Sequence, residues 1–195
     1  MEPLTSSEIV EAALRVTRLQ GFDRLTMRAI AAELQVTPMA LYHHVSSKDE
    51  LVKLVAGAVS SALAPLELAA DGWEASLRRY LLAMWENMVR YPGLVNYQMN
   101  RPSFGVGPGT IETGVRFFED AGFAPRDARL AWSFAMTYVH GRLNIDRGLR
   151  GKPDAGRMEG IRTTDYVTFG VDAVIRGLRE LPGAPGGGSR RRRPA

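Results

Sequence analysis

The sequence predicts an all-α protein: an N-terminal three-helix unit of helix-turn-helix type, followed by a larger helical domain. Three observations carry this. Apolar residues recur at helical intervals along most of the 195 residues. No run of alternating apolar and polar residues reads as a strand. Two short helical patterns also meet at "ELQVTPM" (33–39), with room for only a tight turn between them.

The elements follow in order. "TSSE" opens the first helix, with Thr5 and Glu8 at capping-box spacing. Ile9, Ala13, Val16 and Leu19 or Gln20 follow at helical intervals, and Gly21 is the stop. "RLTMRAIAAEL" reads as a short second helix capped by Thr26, with Ile30 and Leu34 turned inward. Thr37 caps a third helix, Pro38 fits its first position, and the helix runs to about Val45. Ser47 and Glu50 open a fourth, expected to bury Leu51, Leu54, Val55, Ala58 and Val59.

Beyond the linker "APLELAADG" the helices are longer and more apolar. They are expected at about 73–90, with Leu77, Leu81, Met84, Trp85 and Met88 as its stripe, then at 92–100, 110–121, 125–148 and 164–181. "SFGVGPGT" and "RGKPDAGRMEGIR" read as loops, and "PGAPGGGSRRRRPA" as a flexible basic tail. The expected division is residues 1–50, 51–182 and 183–195.

Composition excludes several classes. A 45% hydrophobic and 24% charged chain is ordinary for a soluble globular protein. With no cysteine, disulfides and cysteine-based zinc sites are out, and a cytoplasmic location is the simplest reading. The N-terminus lacks a basic-then-apolar signal pattern, and "LVAGAVSSALAPLELAA" (54–70), broken by Pro65 and Glu67, predicts no membrane span. Lys and Arg number 25 against 21 Asp and Glu, and Arg190–Arg193 account for that whole excess. Bulk charge therefore says little about partners, and placement must decide.

Two of the three histidines are adjacent. His43 and His44 leave a helix about 100° apart, so they do not chelate one ion, and no serine or carboxylate stands at relay spacing. No metal, cofactor or catalytic site is expected. A two-turn helix this polar is not stable alone. It must pack by Leu41 and Val45, leaving Pro38, Met39, Tyr42 and His43 outward, as a helix in a DNA major groove requires.

At this point the sequence resembles a known family. "GFDRLTMRAIAAELQVTPMALYHHVSSKDEL" (21–51) is similar to the DNA-binding signature of the TetR family of bacterial transcriptional regulators. The shared pattern is Gly-Phe, Leu-Thr, Ala-x-x-Leu-x-Val, Leu-Tyr-x-His-Val, then Lys-x-x-Leu. The resemblance implies phosphate contacts from Thr26, Tyr42, His44 and Lys48, with Thr37 and His43 in the same surface. It implies base contacts from Arg28, Pro38 and Met39, with Arg28 bidentate on guanine and the other two restricted to apolar contacts such as thymine methyls. Competing readings leave His43 merely solvated, pack Tyr42 half-buried, or pair Arg28 with Glu33 or Asp23.

The later helices resemble, more loosely, the effector-binding and dimerisation domain of the tetracycline-repressor-like subgroup. This implies a homodimer through the last two long helices, where "AWSFAMTYVHG" and "YVTFGVDAVIRGL" are apolar on more than one face and Gly141, Gly170 and Gly177 permit close approach. A small, largely apolar effector of unknown identity is expected among Trp85, Met88, Tyr97, Met99, Phe104, Phe117, Phe134, Tyr138, His140 and Asn144. Each of these taken singly also reads as core. Tetracycline-binding members use a histidine and a metal ion near "LVNYQMNRP"; Tyr97 stands there instead, which argues against a tetracycline–magnesium ligand.

The expected function is a repressor released from a palindromic double-stranded DNA operator by its effector. Alternatives are an activator or ligand-independent regulator of the same fold, a helical enzyme using His140 with Asp146 or Glu159, and a nonspecific nucleic-acid binder acting through its Arg tail.

Overall fold

The computed structural model describes residues 4–99, 108–149, 160–181 and 184–185. Among these there is no strand. The helices are α1 (Ser6–Gln20), α2 (Met27–Leu34), α3 (Pro38–Tyr42), α4 (Lys48–Ser61), α5 (Trp73–Met88), α6 (Leu94–Met99), α7 (Pro108–Asp120), α8 (Pro125–Leu149) and α9 (Thr163–Arg179), with a 3-10 turn at Phe22–Arg24. No described helix is long and apolar enough to cross a membrane. Residues 150–159 of the expected loop 150–162, most of the tail including Arg190–Arg193, and Phe104 lie outside the described residues.

The chain forms two compact units, Met1–Ala64 with Met84–Gly105, and Pro65–Ala83 with Val106–Ala195. The expected boundary at residue 50 falls inside α4. Val52, Val55, Ala56 and Val59 of that helix are buried in the first core, so α4 folds with α1–α3. Its inward face is Leu51, Val52, Val55, Ala56 and Val59, and Leu54, expected inside, is 38% exposed.

In the first unit, caps set the helix starts. The Thr5 amide donates to Glu8 Oε2 at 2.8 Å while the Glu8 amide donates to Thr5 Oγ1, a complete capping box. The Thr5 hydroxyl, which also donates to Glu8 Oε2 at 2.8 Å, and the Thr5 amide hold the Glu8 carboxyl below its usual pKa. At α4 the Ser47 hydroxyl accepts from the Glu50 amide, but Glu50 reaches back to the Ser46 amide and hydroxyl at 2.7 and 2.6 Å. Ile9, Ala12, Ala13, Phe22, Leu25, Ile30, Leu41, Val45 and Leu51 make a core with almost no exposed area.

In the second unit, rings fill the space between α5 and α7. Trp73 meets Phe123 edge-on with centroids 5.1 Å apart, and Phe118 meets Phe123 in the same way at 5.1 Å. Two glycines allow close helix approach. A Cβ on Gly114 of α7 would overlap the Trp132 ring of α8, and one on Gly170 of α9 would overlap the Tyr138 phenol. Through that gap Tyr138 Oη donates to the Tyr166 and Val167 carbonyls at 3.0 and 3.3 Å. Arg142 and Asp146 form a largely buried ion pair on α8, with the guanidinium 5.5 Å from the Tyr166 ring centre.

Gly114→Ala should lower stability in urea melts by about 1–3 kcal/mol, the usual cost of overpacking. Gly57 sits in the interior of α4 with nothing within 4 Å of a Cβ position. Gly57→Ala should therefore raise stability by about 0.5–1 kcal/mol through helix propensity. An equal effect at the two sites would contradict the packing described.

Candidate nucleic-acid interface

The site grows from one tight turn. Gln35 ends α2 in the left-handed region at φ 55°, an unusual conformation for a residue with a Cβ. Its amide donates to the Ala32 carbonyl and that of Val36 to Ala31, the paired bonds of a Schellman motif. The chain then re-enters a helix. The Thr37 hydroxyl accepts from the Ala40 amide at 3.3 Å, and Pro38 takes the first position. The third helix, expected to reach Val45, ends at Tyr42; His43 and His44 form a turn whose bonds, from the His44 and Val45 amides, both close on the Leu41 carbonyl at 2.9 Å.

Leu41 and Val45 are fully buried, which fixes what faces outward. Thr26, Arg28, Thr37, Pro38, Met39, Tyr42, His43, His44 and Lys48 are all exposed, Met39 by 70% and Tyr42 by 49%. Met39 and Tyr42 are large side chains that give little to the core. Arg28 makes no hydrogen bond or ion pair with any described residue; Glu33, offered as its partner, instead holds Arg15 at 2.8 Å. Thr26 caps α2 by accepting from the Ala29 amide at 3.1 Å. Lys48 is the first residue of α4, where the helix dipole disfavours a cation by about 0.3–1 kcal/mol. A cation kept there against that preference suits contact with an external anion.

Hydroxyls, imidazoles, a lysine and an arginine thus surround an apolar centre at Pro38 and Met39. The outer groups suit phosphates, and the centre with Arg28 suits base edges. Among the described residues no group of His, Cys, Asp and Glu is placed to hold a metal ion.

A sequence model described as "Bacterial regulatory proteins, tetR family" matches residues 9–55. The solved structure of TetR from Acinetobacter baumannii AYE superposes with a TM-score of 0.74 at 26% identity, covering 91% of this chain and 97% of that one. Residues 9–55 are thus a TetR-family DNA-binding segment. The HTH-type transcriptional repressor DrrR1 of Streptomyces coeruleorubidus is 36% identical over 106 residues, 52% of this chain and 38% of that protein. Tetracycline repressor protein class D of Escherichia coli is 27% identical over 143 residues, 72% of this chain and 66% of that protein. The chain thus matches less than two thirds of the length of either curated relative.

The unit that holds this segment is built in part from residues late in the sequence. Tyr91 and Leu94 are buried in the first core. Arg18 of α1 donates to Tyr91 Oη at 3.0 Å, the Phe22 amide donates to the Pro92 carbonyl at 2.7 Å, and Asn87 Nδ2 donates to the Val59 carbonyl at 2.7 Å. Tyr97 lies on Phe22, with centroids 5.6 Å apart, and donates to Asp49 Oδ1 at 3.2 Å, one residue beyond Lys48. No local pattern announces these partners, since Arg18 and Tyr91 are 73 residues apart. The turn-forming Pro92-Gly93 was their one visible sign.

The residues expected to line an effector pocket fall in both units. Trp85 and Met88 are buried in the first unit, and Tyr97 is engaged with Phe22 and Asp49 as above. Met99 ends α6, and its side chain lies outside the described residues. In the second unit Phe117 is buried against Phe118, and Tyr138 is bonded to α9. Phe134 is 55% exposed and Asn144 is exposed as well. His140 is half-buried, and burial lowers its pKa. It leaves α8 about 200° from Tyr138, so the two do not line one wall.

Proposed function

We propose that this chain is a DNA-binding transcriptional regulator, a repressor that a small, largely apolar effector releases from a palindromic operator. The observation that carries the reading is the exposed surface over Leu41 and Val45, where Arg28, Pro38, Met39, Tyr42, His43, His44 and Lys48 all face outward while the helix beneath is locked into the core. The names of the relatives, repressors among them, support the same direction.

A homodimer completes this reading. On α8, Leu130, Phe134 and Ile145 are about half exposed along one helical stripe, which Gly141 continues. On α9, Phe169 is 71% exposed, followed at four-residue steps by exposed Ala173 and Gly177. A Cβ at Gly141 or Gly177 would meet nothing within 4 Å, so both leave open space beside an apolar stripe. This supports pairing of α8 and α9 with their copies, and gives Phe134 an interface role in place of a pocket role. Two reading helices about 34–36 Å apart then meet successive major grooves.

Release rests on coupling. Residues 84–97 fold with the DNA-reading helices, and Tyr97 holds Asp49 beside Lys48. An effector that shifts this segment moves the start of α4, at a coupling of about 1–3 kcal/mol, and DNA weakens effector binding equally.

Fluorescence anisotropy tests the reading with duplex from upstream of the chain's own gene and a scrambled control. Selective binding is expected, weakened by about 1–3 kcal/mol per half-site in Arg28→Ala. Equal, salt-sensitive binding to both duplexes in every variant would favour the basic tail as the source of affinity. Sedimentation equilibrium should give twice the chain mass, and Phe169→Glu should shift it to the single-chain mass. A wild-type monomer at micromolar concentration would contradict the dimer.

A further inference from the structure

We infer that Met39 is an oxidation site for peroxides: conversion of its thioether to the sulfoxide turns off DNA binding, and reduction restores it. This rests on the operator reading above and adds a chemical input to the same surface, separate from the effector.

Sulfur in this chain is confined to eight methionines, with no cysteine to react first. Met1, Met158 and the side chain of Met99 lie outside the described residues. Of the others, Met27, Met84, Met88 and Met136 are buried, none more than 9% exposed, while Met39 is 70% exposed. A peroxide must reach the sulfur to react, so exposure sets the order of oxidation. The sulfur lone pair attacks one peroxide oxygen and forms the S–O bond as the O–O bond breaks. The second oxygen leaves as hydroxide and takes the proton from the transferred oxygen, giving sulfoxide and water. Sulfur is oxidised and the peroxide is reduced.

The product changes the surface and spares the fold. Leu41 and Val45 hold α3 in the core while Met39 gives little to it, so the helix keeps its place with a sulfoxide at position 39. The thioether is apolar and polarizable, whereas the sulfoxide is polar and its oxygen only accepts hydrogen bonds. The phosphates and base edges of a major groove are rich in acceptors. Pressed against them, an acceptor-only group at the front of α3 loses its water bonds and is repelled. Only a base amino group directly opposite would replace those bonds. The added oxygen also enlarges a side chain that already stands at the contact face.

The test uses the full chain, graded hydrogen peroxide quenched with catalase, and a duplex that the untreated chain selects from a randomised pool. Peptide mass mapping follows oxygen uptake at each methionine, anisotropy follows binding, and circular dichroism checks the fold. Met39 should oxidise before Met27, Met84, Met88 and Met136, and more slowly with the duplex bound than without it. Affinity should fall by about tenfold per half-site as its sulfoxide accumulates. The two epimer-specific methionine sulfoxide reductases, with dithiothreitol, should return affinity to the untreated value. Met39→Leu, compared only with its own untreated sample, should lose no affinity at the same dose. Met39 oxidising no sooner than the buried methionines, or oxidised fully with affinity unchanged, overturns this inference and leaves the operator reading intact. An equal loss in Met39→Leu assigns the effect to another residue and likewise overturns it. A pool yielding no selected sequence overturns the operator reading, and this inference with it.

Discussion

The outward face of α3 depends on two side chains, Leu41 and Val45. A five-residue helix cannot stand in water, because nucleation costs more than so few bonds return. Here it persists because both residues have no exposed area and insert among Ile9, Ile30 and Leu51 in the first core. That insertion sets the rotation of the helix about its axis. Met39 and Tyr42 are outward because Leu41 and Val45 are inward.

Local rules are broken repeatedly within this small region. Gln35 adopts a left-handed conformation that glycine would take more readily, Lys48 places a cation at a helix N-terminus, and Met39 exposes an apolar side chain. Elsewhere in the unit, caps, stops and burial follow preference closely: Thr5, Thr26 and Ser47 all accept from the amide three residues on. A concentration of exceptions on one exposed face is what a site under functional demand looks like. The Schellman bonds from Gln35 and Val36 offset part of the backbone cost, and Asp49 and Glu50 offset the charge cost in the first turn of α4.

Much of this was legible in the sequence, for physical reasons. Helix starts were readable because Thr5, Thr26, Thr37 and Ser47 cap by local bonds, and the α1 and α7 stops because Gly21 and Gly122 take positive φ. The outward set at 26–48 was readable because burying Leu41 leaves little choice of face. The end of α3 was not, since the turn at His43 and His44 depends on how the Leu41 carbonyl is shared. Membership of residues 84–97 in the first unit was also hidden, because contacts such as Arg18 to Tyr91 join distant parts of the chain. Direction along α8 was not legible either. Phe134 and Tyr138 are one turn apart on α8, yet one faces solvent and the other crosses Gly170, a distinction that residue type cannot carry.

Native-state amide hydrogen exchange tests most directly whether the reading helix is part of the core. If it is, the Val45 amide, bonded to the Leu41 carbonyl at 2.9 Å, will open only with the unit as a whole. Its opening free energy should equal that of core amides in α1 and α4. A Val45 amide that exchanges through local opening, while those of α1 and α4 stay protected, would show that Leu41 and Val45 do not set the orientation of the surface.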